Sequence, residues 1–479
     1  MKHSGKNHIK WVALTTITIV VFVVDATVNL KSDESVAYKK TAKQDFREDF
    51  SKKVFYVGDQ VWRIYKHNDS VNDLVEQHDQ NAYQIWSNHP LTVDIFIRNQ
   101  MLYNVDLLLN NCRIKYDVLI KDVQKAIDDG NVRLTTAMQA ELEGRKARYA
   151  WWQGVRLRFP RPRPLRYPAS VYGGGAPWHF RGHRMEWTSY HDINDIYGYL
   201  DYLANTYPDV CSVQSIGNSI EGQPLKVLRI SNGKTENTPA IWIDGGIHAR
   251  EWISPAAVTY IIDNLVENSD VLQTDYYILP VANPDGYRYT FQYDRLWRKN
   301  RRKGTLCSGV DLNRNFGYRW GGKGTSGNMC YETYRGSKAF SEPETNAIRN
   351  FFDNTLANIN AYVSFHSYGQ YILYPWGYDQ RLPPDYRDLD AVGLEAAKYM
   401  KYEGGDNTEY TVGNSAITLY PAAGGSDDWA KALLKIKYAY TIELRDTGRH
   451  GFLLPPQHII PTAKEALAAI KVITNAIKK

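Results

Sequence analysis

A histidine and a glutamate stand close together directly after an apolar segment of the chain. His248 and Glu251 are three residues apart within residues 245–252, where a turn or the start of a helix would place both side chains on one side. An imidazole nitrogen and a carboxylate oxygen suit a zinc ion, but two ligands make only half of a zinc site. Taken alone, such a pair is more often a polar pair at a protein surface.

Two further polar residues occur at apolar segments that predict strands. His366 follows the strand predicted at 360–365, and Glu443 interrupts the apolar strand that begins at Tyr438. Sites in α/β proteins form at the carboxyl ends of strands, and a buried carboxylate is costly unless it is paired or functional. The structural alternatives are a core histidine at 366 and an ion pair between Glu443 and Arg445.

Helices and short buried strands alternate from residue 185 to residue 479. Helices are predicted at 193–205, 254–268 and 462–477, and strands at 240–244, 276–281, 360–365 and 438–442. This alternation predicts an α/β domain around a mixed, largely parallel sheet. The candidate residues therefore belong to the strand ends of this domain.

Residues 45–130 predict a second, smaller α+β unit. Its strands are expected at 54–57, 92–97 and 116–120, and its helix at 101–111. A chain of 479 residues, of which 13% are aromatic, can bury a core in both units. The same aromatic content excludes disorder over most of the length.

The segment at 131–184, between the two units, is basic and rich in proline and glycine. Between Arg145 and Arg184 there are ten basic residues and no acidic ones, and without these ten the formal net charge of +6 becomes −4. This composition predicts a linker, which either only joins the units or is also an exposed target for a trypsin-like protease. Because the basic excess is confined to the linker, we expect no nucleic-acid partner.

The N-terminus has the pattern of an export signal. Lys2, Lys6 and Lys10 precede an apolar stretch at 11–24. This length is typical of a signal-peptide core and is short for a membrane-spanning helix. We therefore predict a signal peptide at 1–26 and a secreted, extracellular protein, with an uncleaved membrane anchor as the alternative. A multi-pass membrane protein is excluded.

Seven segments of the chain occur together, in this order, in one known protein family. They are residues 245–252, 283–286, 296–299, 310–315, 365–368, 424–429 and 442–448. Together they closely resemble the zinc metallocarboxypeptidases of the pancreatic and digestive A/B type. The resemblance covers residues 45–130, which look like the activation propeptide of that family, and residues 185–479. It implies a ferredoxin-like propeptide domain, an α/β/α catalytic domain, and a secreted proenzyme that is cut in the linker.

The resemblance also implies a zinc site with one position open to water. Its three ligands are His248, Glu251 and His366. Asp311 matches the carboxylate that orients the ring of His248. Zinc lowers the pKa of its bound water and polarises the peptide carbonyl. Glu443 would act as general base and then as general acid, and Arg298 would stabilise the oxyanion.

The remaining matches are contacts to the substrate. A free C-terminal carboxylate would be bound by Arg314 through two parallel hydrogen bonds, with help from Asn313 and the phenol of Tyr420. Arg250 and Tyr368 match positions that contact the substrate further from its end. These positions imply an exopeptidase that acts on the C-termini of peptides and proteins.

One pocket residue separates the A-like from the B-like members of this family. Asp427 falls on a position that is apolar in enzymes preferring aromatic or aliphatic ends and acidic in those preferring Lys or Arg. Ser415 leaves room for a long side chain. A buried acidic group pairs with a cation and disfavours an apolar side chain. We expect carboxypeptidase B-like release of Lys and Arg, unless Asp427 turns to solvent or to Lys431 and the specificity is A-like.

The same resemblance bears on the cysteines and on the other possible classes of protein. It implies a disulfide between Cys307 and Cys330, whereas Cys112 and Cys211 have no predicted partner. A catalytically silent binding protein on this fold is disfavoured because every catalytic residue is present. The regulatory branch of carboxypeptidases lacks a propeptide like residues 45–130. We expect a monomer with one zinc ion.

Overall fold

The N-terminal unit is built on a four-stranded antiparallel sheet. In the computed structural model the described residues are 53–66, 83–131, 183–233, 238–269, 272–405 and 408–478. The strands are β1 (Gln60–Tyr65), β2 (Tyr83–Asn88), β3 (Thr92–Ile97) and β4 (Tyr116–Ile120), in the order β2-β3-β1-β4. The helices are α1 (Leu102–Asn111) and α2 (Val123–Asn131). All three strand pairings are antiparallel, as in the predicted ferredoxin-like arrangement.

The strand predicted at 54–57 is wrong. The backbone N–H of Val54 donates to the carbonyl of Tyr293 at 2.8 Å, so this segment runs against the second domain rather than within a sheet. A turn at residues 57–58, with φ of +75° at Gly58, separates it from β1. The signal peptide predicted at 1–26, and all but the ends of the linker predicted at 131–184, lie outside the described residues.

The second domain contains a mixed sheet of eight strands. They are β5 (Cys211–Asn218), β6 (Pro224–Ile230), β7 (Pro239–Gly245), β8 (Asp275–Leu279), β9 (Asn358–Ser367), β10 (Tyr371–Tyr374), β11 (Thr411–Asn414) and β12 (Tyr438–Leu444). Their order is β11-β10-β12-β9-β7-β8-β6-β5. The four central strands, β12, β9, β7 and β8, are parallel to one another. The expected largely parallel sheet is confirmed.

Helices cover both faces of this sheet. They are α3 (Ile193–Thr206), α4 (Ile253–Glu267), α5 (Pro284–Gln292), α6 (Pro343–Asn354), α7 (Tyr386–Gly404), α8 (Ser415–Thr418), α9 (Ser426–Ala432) and α10 (Ile459–Ala476). Successive strand residues point to opposite faces. On β7, Ile241 and Ile243 pack into the core under α3, α4, α7 and α10, whereas Trp242 packs into the core under α6 and α9. The domain is therefore an α/β/α sandwich.

Two of the four cysteines are joined to each other. Cys307 and Cys330 form a disulfide, as predicted. Cys112 is exposed and Cys211 is buried, and both are free thiols. Within the ranges given above, no helix has the length and apolar character that a membrane crossing requires.

Candidate active site

The three predicted zinc ligands come from two neighbouring parallel strands. His248 and Glu251 lie in the loop between β7 and α4, and His366 is the next-to-last residue of β9. Because β7 and β9 pair in parallel, their carboxyl ends lie at the same edge of the sheet. Gly246 permits the sharp exit from β7, since its φ is +64° and a Cβ there would lie 2.9 Å from the ring of Pro255.

The ligand atoms of these residues converge. The Nδ1 atoms of His248 and His366 are 3.2 Å apart, and oxygens of the Glu251 carboxylate lie 2.8 Å and 3.1 Å from them. Tetrahedral ligands at about 2.0–2.1 Å from zinc lie roughly 3.3 Å from one another, so these residues fit one zinc ion. In the part of the chain that the structure describes, no other group of three His, Cys, Asp or Glu side chains is close enough to hold a metal ion.

The outer ring nitrogen of each histidine is held by an oxygen atom. Nε2 of His248 lies 3.1 Å from Oδ1 of Asp311, and Nε2 of His366 lies 3.1 Å from Oγ of Ser364. Asp311 also accepts a hydrogen bond from Nη2 of Arg298 at 2.8 Å. Burial alone would raise the pKa of Asp311, but the neighbouring arginines hold it well below its usual value. The ring orientations therefore leave both Nδ1 atoms facing the metal position.

Glu443 lies beside the ligands without being one of them. It is on β12, where it pairs in register with His366, and it lines the same cleft. Burial raises the pKa of its carboxyl group, as does the charge of Glu251, against the opposing effect of His366. The alternative pairing with Arg445 does not occur, because Nε of Arg445 donates to Glu465 at 3.0 Å. A raised carboxyl pKa at such a position is suited to proton transfer.

A short 3₁₀ helix at Leu312–Arg314 brings two predicted substrate contacts to the cleft. Asp311 caps this helix by accepting from the backbone N–H of Asn313. Arg314 is fixed because its Nε donates to the carbonyl of Gly324 at 2.9 Å. Arg298, Asn313, Arg314 and Tyr420 all line the cleft that contains the zinc ligands. Tyr420 lies at its rim, where 38% of its surface is exposed.

Asp427 lies in the wall of the same cleft. It is in the first turn of α9, is only 6% exposed, and burial raises the pKa of its carboxyl group. Asp427 does not turn toward solvent, because it is buried. It does not pair with Lys431 either, because Nζ of Lys431 donates to Asp385 at 2.6 Å. The neighbouring Asp428 accepts from two backbone N–H groups instead. Ser415 also lines the cleft.

The two residues predicted to contact the substrate further from its end lie in different places. Tyr368 lines the cleft, and its hydroxyl donates to Oδ2 of Asp94 in the N-terminal unit at 3.0 Å. Arg250 is buried outside the cleft lining, with its guanidinium 4.3 Å from the ring centroid of Phe452 and 3.4 Å from Glu332. A substrate contact by Arg250 stays a prediction.

Part of the cleft lining comes from the N-terminal unit, which sequence reasoning missed. Trp86, Ser87 and Asn88 at the end of β2 line it, and the ring of Trp86 lies 5.0 Å from that of Phe452. Arg63 binds Asp94 through two hydrogen bonds of 2.7 Å and also donates to the carbonyl of Thr447. No local pattern in residues 83–97 signals these contacts, because they join positions far apart in the sequence.

Two segments of the chain match known protein families. Residues 196–469 match the model of the family described as zinc carboxypeptidase. The chain belongs to this family. Residues 63–130 match the carboxypeptidase activation peptide, so this zinc carboxypeptidase carries an N-terminal activation peptide and is a zymogen.

The proteins similar to this zinc carboxypeptidase include some named carboxypeptidase A and others named carboxypeptidase B. Carboxypeptidase B of Astacus astacus is 48% identical over 302 residues, which cover 61% of this chain and 99% of that protein. Carboxypeptidase A4 of Mus musculus is 35% identical over 439 residues, which cover 88% of this chain and 94% of that protein. A crystal structure of thrombin activatable fibrinolysis inhibitor superposes with a TM-score of 0.72 at 34% identity, covering 88% of this chain and 98% of that one.

Proposed function

We propose that this zinc carboxypeptidase, once its activation peptide is removed, releases Lys and Arg from the C-termini of peptides and proteins. The observation that carries this specificity is the buried carboxylate of Asp427 in the cleft that contains the zinc ligands and Arg314. An incoming cation would pair with that carboxylate, whereas an apolar side chain would leave a buried charge unpaired. The similarity to relatives named A and B favours neither specificity.

Each of the polar residues that line the cleft has a separate role in the proposed reaction. Zinc, when bound, polarises the scissile carbonyl and lowers the pKa of a water molecule. Glu443 takes a proton from the attacking water and delivers it to the leaving nitrogen. Arg298 stabilises the oxyanion of the tetrahedral intermediate. Arg314 binds the substrate carboxylate with Asn313 and Tyr420 beside it, which restricts cleavage to the last residue.

The test of this function is a set of peptides that differ only in their last residue. The protein, trimmed with trypsin, is offered peptides ending in Arg, Lys, Phe or Leu, and kcat/KM is measured for each. We expect Arg and Lys to be released at least tenfold faster than Phe and Leu, because an unpaired buried charge costs several kcal/mol, about 1.4 kcal/mol for each factor of ten. Equal rates, or a preference for Phe and Leu, would contradict the role of Asp427 and favour A-like specificity.

We further propose that the protein is exported by a cleaved signal peptide and is latent until its linker is cut. We assign residues 1–26 to a signal peptide, 45–130 to the activation domain, 131–184 to the linker and 185–479 to the catalytic domain. A trypsin-like protease cuts the linker, finally near Arg184, whose side chain is 74% exposed. The contacts of Trp86 and Asp94 with the cleft support latency. N-terminal sequencing of the secreted and trypsin-treated proteins tests both cleavage positions, and an intact residue 1 on the secreted chain would contradict export by a cleaved signal.

A further inference from the structure

The second zinc-binding histidine is connected to a buried carboxylate that the reaction described above does not use. Asp244, on β7, is 1% exposed. Its Oδ1 accepts from the hydroxyl of Ser364 at 2.5 Å, and the same hydroxyl oxygen lies 3.1 Å from Nε2 of His366. Trp242 donates its indole N–H to the other carboxylate oxygen at 2.7 Å. These side chains form a buried chain of polar contacts that ends at the zinc site.

The strand register explains why these residues meet. Ser364 and His366 are two residues apart on β9, so both side chains point to the same face of the sheet. Asp244 on β7 is the cross-strand partner of Ser364. Trp242, two residues earlier on β7, therefore points to the same face as Asp244. The arrangement is fixed by the central parallel strands, which are the most enclosed part of the sheet.

The chemistry of the groups fixes the direction of the hydrogen bonds. An ionised carboxylate only accepts, the indole N–H only donates, and a hydroxyl has a single hydrogen. If Ser364 gives its hydrogen to Asp244, its oxygen has only lone pairs to offer to His366. Nε2 of His366 must then carry the hydrogen, and Nδ1 presents a lone pair toward His248 and Glu251.

We infer that Asp244 is a positioning residue that acts through Ser364 to hold His366 in the tautomer that can bind zinc. The carboxylate of Asp311 contacts Nε2 of His248 directly. The carboxylate of Asp244 instead reaches Nε2 of His366 through the hydroxyl group of Ser364. This inference rests on the zinc site of the proposed function and is independent of the Lys and Arg preference.

The most informative variant is Asp244→Asn, which keeps the size and shape of the side chain. It reverses the direction of the hydrogen bonds from residue 244 through Ser364 to His366. The amide oxygen still accepts from Trp242, but the amide N–H₂ faces Ser364 and donates to its oxygen. The hydroxyl hydrogen of Ser364 is then free to point at Nε2 of His366. This favours the tautomer with hydrogen on Nδ1, where the metal binds.

The experiment measures the zinc dissociation constant of the full chain by competition with a chromophoric chelator, with zinc as the only ligand added. We expect Asp244→Asn and Ser364→Ala to weaken zinc binding roughly 10–100-fold, the usual effect of removing an outer partner of a ligand histidine. Ser364→Thr keeps a hydroxyl and should bind zinc like the wild type. The matched control is Tyr276→Phe, which removes a buried hydroxyl contact to Thr474 in the same domain away from the zinc site.

Measuring thermal unfolding beside zinc affinity distinguishes a role in positioning His366 from a general loss of stability. Thermal unfolding of the metal-free chains should show Tyr276→Phe and Ser364→Ala destabilised to a similar degree, with zinc affinity lowered only in the second. Wild-type zinc affinity in both Asp244→Asn and Ser364→Ala would overturn the inference, as would an equal loss of affinity in Tyr276→Phe. A wild-type chain that binds no zinc would instead contradict the zinc site itself. If Asp244→Asn does not fold, the comparison of Ser364→Ala with Ser364→Thr decides.

Discussion

The inner end of the cleft is built by the catalytic domain alone, whereas its outer end is shared with the activation domain. At the inner end, His248, Glu251 and His366 are buried and are held by β9 and by the loop that follows its neighbour β7. At the outer end, Trp86 packs on Phe452, and Tyr368 donates its hydroxyl to Asp94. The predicted catalytic groups therefore line the cleft in the uncut chain, and residues of the activation domain line its outer end.

This difference indicates how the zymogen is kept latent. None of the contacts that orient the zinc ligands comes from the activation domain within the described residues. At the outer end of the cleft its contacts include those with Tyr368, Phe452 and the carbonyl of Thr447. We infer that latency arises from covering the cleft rather than from distorting the catalytic groups. The inner end and the outer end can therefore be altered separately.

The largest effect is expected at the inner end, from Glu443→Gln in the trimmed enzyme. Turnover should fall roughly 10²–10⁴-fold, because the amide cannot accept the proton of the attacking water. The zinc content should stay at one per chain, since Glu443 is not a ligand. Steady-state kinetics with zinc analysis measure both, and the exposed Glu395→Gln on α7 serves as the control. Loss of zinc together with activity would contradict the assigned role.

The second largest effect is expected in the side-chain pocket, from Asp427→Ile in the trimmed enzyme. Asp427→Ile should lower kcat/KM for peptides ending in Arg about 10²-fold, which corresponds to a lost charge pair of ~3 kcal/mol. The rate for Phe-ended peptides should rise. Asp353→Asn, on the exposed side of α6, changes the net charge equally and should leave both rates unchanged. If Asp427→Ile keeps the wild-type ratio of Arg to Phe cleavage, another group determines the specificity.

The smallest effect is expected at the outer end, from Asp94→Asn in the uncut chain. The amide of Asn is uncharged, so the hydrogen bond from Tyr368 should be weakened. The lower value for a hydrogen bond to a charged group, about 1.5 kcal/mol, corresponds to a rise of about tenfold in the residual activity of the uncut chain. Asp117→Asn removes a carboxylate that accepts a hydrogen bond from Tyr65 within the activation domain, at 2.6 Å, and should have no such effect. After trypsin treatment, both variants should match the wild type. Unchanged residual activity in Asp94→Asn would show that this contact does not contribute to latency.

The sequence predicts the inner end of the cleft well because its signals are local or come from recognisable motifs. His248 and Glu251 are three residues apart in one loop, and His366 ends a strand with strong apolar character. The parallel strands then bring the two segments together, as expected for the carboxyl ends of an α/β sheet. The central strands and the terminal helix were predicted for the same reason, since each is a clear apolar run.

The outer end and the chain of contacts behind His366 depend on long-range pairing that no local pattern encodes. Asp94 on β3 looks like the polar member of an alternating strand, and only the docking of two domains gives it Tyr368 as a partner. Asp244 and Ser364 meet through the register of β7 and β9. The apolar residues 54–57 suggested a strand, but they pack on the second domain instead. The short strands β10 and β11 were missed because four residues carry too little periodicity.

The most direct test of the covering model compares the zinc dissociation constants of the uncut and the trypsin-trimmed proteins, measured by the same chelator competition. The model predicts one zinc per chain and equal affinity in both forms, while the activity on an Arg-ended peptide rises only after cleavage. Zinc binding that appears, or tightens by a factor of ten or more, only after cleavage would contradict it. That result would mean that the activation domain distorts the ligand set rather than covering the cleft.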